Sequence, residues 1–248
     1  MSIKRKLACL AWAPLFLAPP AAYATNPVTE IHVGNIPKGT VALGVGLRWG
    51  DSPYRGIDDI GSVVSENAYD IMPFYFYEGR WLFAHGSSAG IHFLDSEHFE
   101  LDALISYRFT RLETERNDYF RTVEDRQQSL DAGLRAGIKG GFGKLGLTWL
   151  GGAVDRHNGN ELDLTYRYEW LGARWSISPF VSYVYQDSDL TGYYYGVTPQ
   201  ESRPDLPVYT PGSADFLRIG VNTSYRLTQR MRLFANFSHE NLDEEVRD

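Results

Sequence analysis

Residues 161–170 alternate without a break: Leu162, Leu164, Tyr166, Tyr168 and Trp170 interleave with Glu161, Asp163, Thr165, Arg167 and Glu169. A strand sends successive side chains to opposite faces, so this segment has one apolar face and one charged face. The same period recurs along the chain in segments of about ten residues. A soluble sandwich would bury the apolar face. Here that face is tipped with Trp and Tyr, while Arg and Asp residues line the other. Behind a secretion signal, the pattern predicts an all-β, antiparallel transmembrane meander β-barrel of roughly ten to twelve strands, with lipid outside and a polar lumen.

The signal is read from the first residues. Lys4, Arg5 and Lys6 form a basic start, Leu7 to Leu17 an apolar stretch, and Ala22-Tyr23-Ala24 an A-x-A cleavage site. Residues 1–24 are therefore expected to be a cleavable signal peptide, and the mature chain to begin at Thr25. The apolar stretch is too short to span a bilayer. Cys9, the one cysteine, falls in the discarded peptide, so neither disulfides nor thiol chemistry are expected. Removing the three basic residues takes the formal charge from −7 to −10, which argues against a nucleic-acid partner. No apolar run is long enough for a transmembrane helix. The mean hydropathy of −0.32 does not count against a barrel, because alternation averages hydropathy away.

Residues 25–39 read as a periplasmic lead-in and 40–248 as the barrel. The first strand, 40–49, sends Val41, Leu43, Val45, Leu47 and Trp49 outward, opposite Arg48. A loop follows to Ala68, then an apolar strand over 69–78 whose facing Pro73 and several aromatics blur. Residues 80–94 form either one long strand or two folded at Gly86-Ser87-Ser88. Further outward sets are Leu101, Ala103, Ile105, Tyr107 and Phe109, then Leu130, Ala132, Leu134, Ala136 and Ile138. Leu145, Leu147 and Trp149 follow, then Trp175 to Tyr185, Leu217 to Tyr225 and Met231 to Phe237 in alternation. Short turns at 140–143, 171–173 and 227–230 belong in the periplasm, and long loops at 110–126, 153–160 and 186–215 outside. Two crossings by 80–94 satisfy that orientation and give eleven strands, so the barrel is expected to lack its last, closing strand. One crossing gives ten strands with the loops on inconsistent sides.

No catalytic, cofactor or metal residues emerge. Gly141, Gly143 and Gly146 spell G-x-G-x-x-G, but period-two strand follows where a dinucleotide site needs a helix, so this is a hairpin. His32, His85, His92, His98, His157 and His239 are scattered without metal-ligand spacing. Ser238 and His239 are neighbours on a strand and face opposite sides. Asp187, Asp189 and Asp205 lack EF-hand spacing. Arg48, Arg108, Arg135, Arg167, Arg174, Arg218 and Arg226 fall on inward faces with Asp102, Asp131, Asp163, Glu161 and Glu169. Opposite charges mixed on neighbouring strands favour a salt-bridged plug over a selectivity filter. Three consecutive tyrosines, Tyr193 to Tyr195, are costly on an exposed loop. They either fold back over the barrel mouth or contact another molecule.

The run Tyr193-Tyr194-Tyr195-Gly196-Val197, followed by Glu201-Ser202, resembles the MltA-interacting protein (MipA)/OmpV family of Gram-negative outer-membrane proteins. Ser52-Pro53-Tyr54, Tyr77-Glu78-Gly79, Glu124-Asp125-Arg126 and Asp243-Glu244-Glu245-Val246 support the likeness, which runs from about Gly44 onward. It implies a closed barrel in the outer membrane, in contact with its lipid. It also implies a scaffold, not an enzyme, bridging a lytic transglycosylase and a bifunctional penicillin-binding synthase in peptidoglycan metabolism. A pore or surface adhesin is the alternative. The resemblance carries no catalytic residues, cofactor or metal.

Overall fold

The alternating segments become strands, each paired with the next in sequence. The computed structural model describes residues 38–48, 54 and 70–241. Its strands are β1 (Thr40–Arg48), β2 (Asp70–Glu78), β3 (Leu82–His85), β4 (Ser88–Asp95), β5 (Phe99–Arg108) and β6 (Ser129–Gly140). They continue with β7 (Gly143–Gly152), β8 (Asn160–Arg167), β9 (Trp170–Leu171), β10 (Trp175–Gln186), β11 (Ala214–Arg226) and β12 (Arg232–Asn241). One antiparallel meander results, with β9 lying off the main path beside β10. No ladder joins β1 to β12 among the described residues. The two ends of the sheet nevertheless come together, because Phe234 of β12 packs with a tilted ring against Phe74 of β2, 5.6 Å between centroids. The sheet thus wraps around an interior. The signal peptide, most of the lead-in, Trp49 and everything after Asn241 lie outside the described residues.

Residues 80–94 fold into two strands, the four-residue β3 and the longer β4. The chain folds between β3 and β4 at Gly86, whose φ of +59° suits glycine. The path therefore contains eleven strands plus the two-residue β9. The expected continuous strand at 161–170 is interrupted. Tyr168 donates its N–H to the carbonyl of Pro179, but proline has no N–H to return, so the ladder breaks between β8 and β9. The glycine run between β6 and β7 is a two-residue turn with Gly143 at φ +105°.

The expected outward residues form the outer surface: Leu43, Ile105, Leu134, Leu164, Tyr183 and Ile219 are all exposed. Trp81, Phe99, Phe142, Trp170 and Trp175 are exposed beside the short turns, a girdle where a membrane–water interface belongs. Phe74 and Phe76, left unassigned by the sequence, point inward with Ala42. Arg174 and Arg226, expected inside, are exposed at the turn end, where Arg226 donates to the carbonyl of Ala173. Both sit at the turn end of the sheet, Arg226 as the last residue of β11, where the facing rule no longer decides burial.

Leu164→Arg puts a cation on the outer face. In urea unfolding of protein refolded into lipid vesicles it is expected to lose about 2–4 kcal/mol. Thr165→Arg, facing inward beside Asp163, should lose clearly less, and equal losses would contradict the facing.

Candidate functional site: a charged lumen beneath a docked cap

Alternation brings the inward charges of distant strands together. Arg108 on β5 donates through Nε to Asp131 on β6 and through Nη1 to Glu161 on β8, both at 2.8 Å. Gln186 on β10 adds a bond to the same Glu161 oxygen at 2.9 Å. Arg135 on β6 grips Asp102 on β5 at 2.6 Å, and His92 on β4 meets the other Asp102 oxygen at 2.7 Å. The second His92 nitrogen faces Glu78, which also bonds His85. Arg218 on β11 pairs with Glu240 on β12 and reaches Asp163 on β8. Arg108, Asp102 and Asp131 are each about 1% exposed. Removing one member of such a pair strands a buried charge, at a cost of about 3–5 kcal/mol. The interior is therefore the salt-bridged filling that mixed charges implied.

One sequence expectation about chemistry meets geometry here, and one cluster is new. Ser238 lines the lumen and His239 is exposed, so they do not act together. Ser129, His157 and Asp131 do converge, within 3.0 Å. Both Ser129 and Asp131 sit on the same nitrogen, Nε2, and Nδ1 is buried without a partner among the described residues. A catalytic relay needs the acid on one ring nitrogen and the nucleophile on the other, so this cluster is an anchor.

The tyrosine segment is not a loop. Residues Ser188–Tyr195 form a helix, α1. Asp187 starts it by accepting the N–H of Leu190 at 3.0 Å, and also accepts from Asn160 of β8, tying the helix to the barrel rim. Gly196 ends it with an N–H bond back to Gly192. Tyr194 is buried against His157, and Tyr195 packs on Val184, Ala214 and Phe216 of the inner wall. The tyrosines thus fold back over the mouth. Above them Tyr54, Leu112, Phe120, Val123, Val197 and Leu206 make a small apolar core from three separate loops.

One ion pair ties this cap together. Arg126 Nη2 donates to Glu201 and to the carbonyl of Gly196, and its guanidinium lies 5.9 Å from the Tyr193 ring. Glu201 also accepts the N–H groups of Glu124 and Thr198 and the Thr198 hydroxyl, each at 2.8 Å. Burial works to raise the Glu201 pKa, but these hydrogen bonds and the Arg126 charge outweigh it and hold the carboxyl below the usual glutamate range. Burial pushes the Tyr54 and Tyr194 hydroxyls up. Asp205 pairs with Arg203, away from Asp187, so the loop aspartates do not gather.

The profile of the family described as "MltA-interacting protein MipA" matches residues 43–248. The chain belongs to this family. The putative outer membrane protein YiaT of Escherichia coli K12 is 25% identical over 211 residues, covering 84% of this chain and 82% of the relative. The MltA-interacting protein of the same strain is 23% identical over 214 residues, covering 85% and 83%. Outer membrane protein Omp26La of Vibrio anguillarum is 26% identical over 125 residues, half of this chain and 48% of its own length. No solved structure gives a significant match. Family membership and the antiparallel barrel sheet place the protein in the outer membrane of a Gram-negative bacterium.

Most segments that carried the family likeness turn out to be cap parts: Tyr54, Glu124 to Arg126, Tyr193 to Val197, and Glu201. The sequence offered no sign that Arg126 and Glu201 are partners, because they sit on different loops 75 residues apart. Nor did it show that His85 and His92 share Glu78. The D-x-x-L start at Asp187 was a visible capping signal for α1.

Asp187→Ala should weaken α1 by about 1 kcal/mol, read as several-fold faster protease nicking within 187–213. Glu201 stabilises the cap fully above the ordinary glutamate pKa of about 4.3, and loses this only as pH falls through its lowered folded value. Exchange of the Thr198 and Glu124 amides, corrected for intrinsic rates, should therefore stay protected at pH 5 and fail in stronger acid. Loss of protection by pH 6 would contradict this.

Proposed function

We propose that the protein is a non-catalytic outer-membrane scaffold, holding a lytic transglycosylase and a bifunctional penicillin-binding synthase together at the periplasmic face. The observation that carries this is membership of a family described by its interaction with MltA, over 43–248. Two structural features support it. The lumen is filled by ion pairs and roofed by a docked cap, which suits a structural barrel better than a pore. The Ser129–His157–Asp131 cluster lacks the relay geometry an enzyme would need. A periplasmic partner would meet the short turns and the girdle end, not the tyrosine cap.

Affinity purification of the tagged protein from detergent-solubilised membranes should enrich a lytic transglycosylase over an unrelated barrel of similar size. Equal recovery with both barrels would contradict the scaffold reading. In planar bilayers the intact protein should show no steady open channel. A stable ohmic conductance would favour the pore reading instead.

A further inference from the structure

Charge is not spread evenly around the turn end of the sheet. On one side Lys38 and Lys139 pair with Asp95, and Lys144 pairs with Glu100. On the other side, residues 168–174 and 226–232 hold four arginines, Arg174, Arg226, Arg230 and Arg232, and one carboxylate, Glu169. The register brings these two turns together. Arg226 donates its backbone N–H to the carbonyl of Arg174 at 2.6 Å and stands directly opposite Arg232 in the β11–β12 ladder. Like charges facing each other across a strand pair cost stability, and an anion between them removes that cost. Arg174, Arg226 and Arg230 are exposed and form no ion pair among the described residues.

The surroundings decide which anion fits. Trp170, Leu171, Trp175 and Leu227 are exposed beside the arginines. The cluster therefore lies within the aromatic girdle, at the level where headgroups meet hydrocarbon. A soluble anion would engage the guanidinium groups and leave this apolar flank unused. An anionic glycerophospholipid engages both. Its phosphate suits the guanidinium fork, and its acyl chains can lie along the outer face beside Ile177 and Leu233. We propose that Arg174, Arg226, Arg230 and Arg232 form a binding site for the headgroup of an anionic phospholipid, in the leaflet that meets the short turns. This rests on the membrane placement and not on the scaffold role.

The test is native mass spectrometry of the full-length protein, refolded in detergent micelles at low salt. It is titrated with phosphatidylglycerol or, separately, with phosphatidylcholine of the same acyl chains. Phosphatidylglycerol is expected to bind at least about five-fold more tightly, and Arg230→Gln to weaken it about five-fold. Arg80→Gln removes another exposed arginine of the turn end, beside Trp81, and should leave binding unchanged. Heat-modifiable gel migration checks that each variant is folded, and Arg174→Gln replaces Arg230→Gln if the latter is not. The proposal is overturned if folded wild type binds neither lipid or both equally, or if a folded cluster variant binds as well as wild type. It is also overturned if Arg80→Gln weakens binding as much as the cluster variant does. Displacement of the lipid by an equal concentration of glycerophosphoglycerol, the same headgroup without acyl chains, would overturn it as well.

Discussion

A backbone in hydrocarbon must find every hydrogen-bond partner inside the protein, and a meander of neighbouring strands supplies them. From this constraint come the antiparallel order and the period of two. The outward residue of each pair must then suit lipid, as Leu43, Leu134 and Leu164 do, and the inward one must suit whatever fills the lumen. Where the backbone cannot comply, the ladder breaks at once: Pro179 costs the β8 side one N–H, and β9 resumes as two residues.

The inward face then poses an electrostatic problem. A narrow interior does not hydrate a row of isolated charges, so each guanidinium is matched across strands that are distant in sequence. Arg108 joins β5, β6 and β8, and Arg218 joins β8, β11 and β12. These pairs clamp the sheet across its width and not only along its ladders. The cap completes the enclosure. Tyr194 and Tyr195 press onto the rim, the Arg126–Glu201 pair joins two loops, and the apolar core adds the third through Tyr54.

Much of the barrel was legible because period two is a local property. The outer faces of β5, β6, β8, β10 and β11 and the short turns could be read residue by residue, whereas the two strands within 80–94 followed only from keeping the long loops on one side. Phe74 and Phe76 could not, since aromatics occur on both faces of β2 and only the contact with Phe234 selects one. Arg174 and Arg226 obeyed the alternation on paper but sit at the turn end of the sheet, exposed. The cap was legible only as family likeness. Its helix is eight residues long with Gly192 inside it, and it is held by contacts from Tyr54, the 110–126 loop and the inner wall. The Glu78–His85–His92 cluster arises from the register of β2, β3 and β4, which no spacing in the sequence encodes.

The central claim is that one face of each strand meets lipid and the other a filled lumen. Single cysteines placed in turn from 161 to 167, in a chain whose one native cysteine is Cys9, can carry a nitroxide spin label in vesicles. Accessibility to oxygen, which partitions into lipid, should alternate: high at 162, 164 and 166, low at 161, 163, 165 and 167. A flat profile, or one with a helical period, would contradict the account.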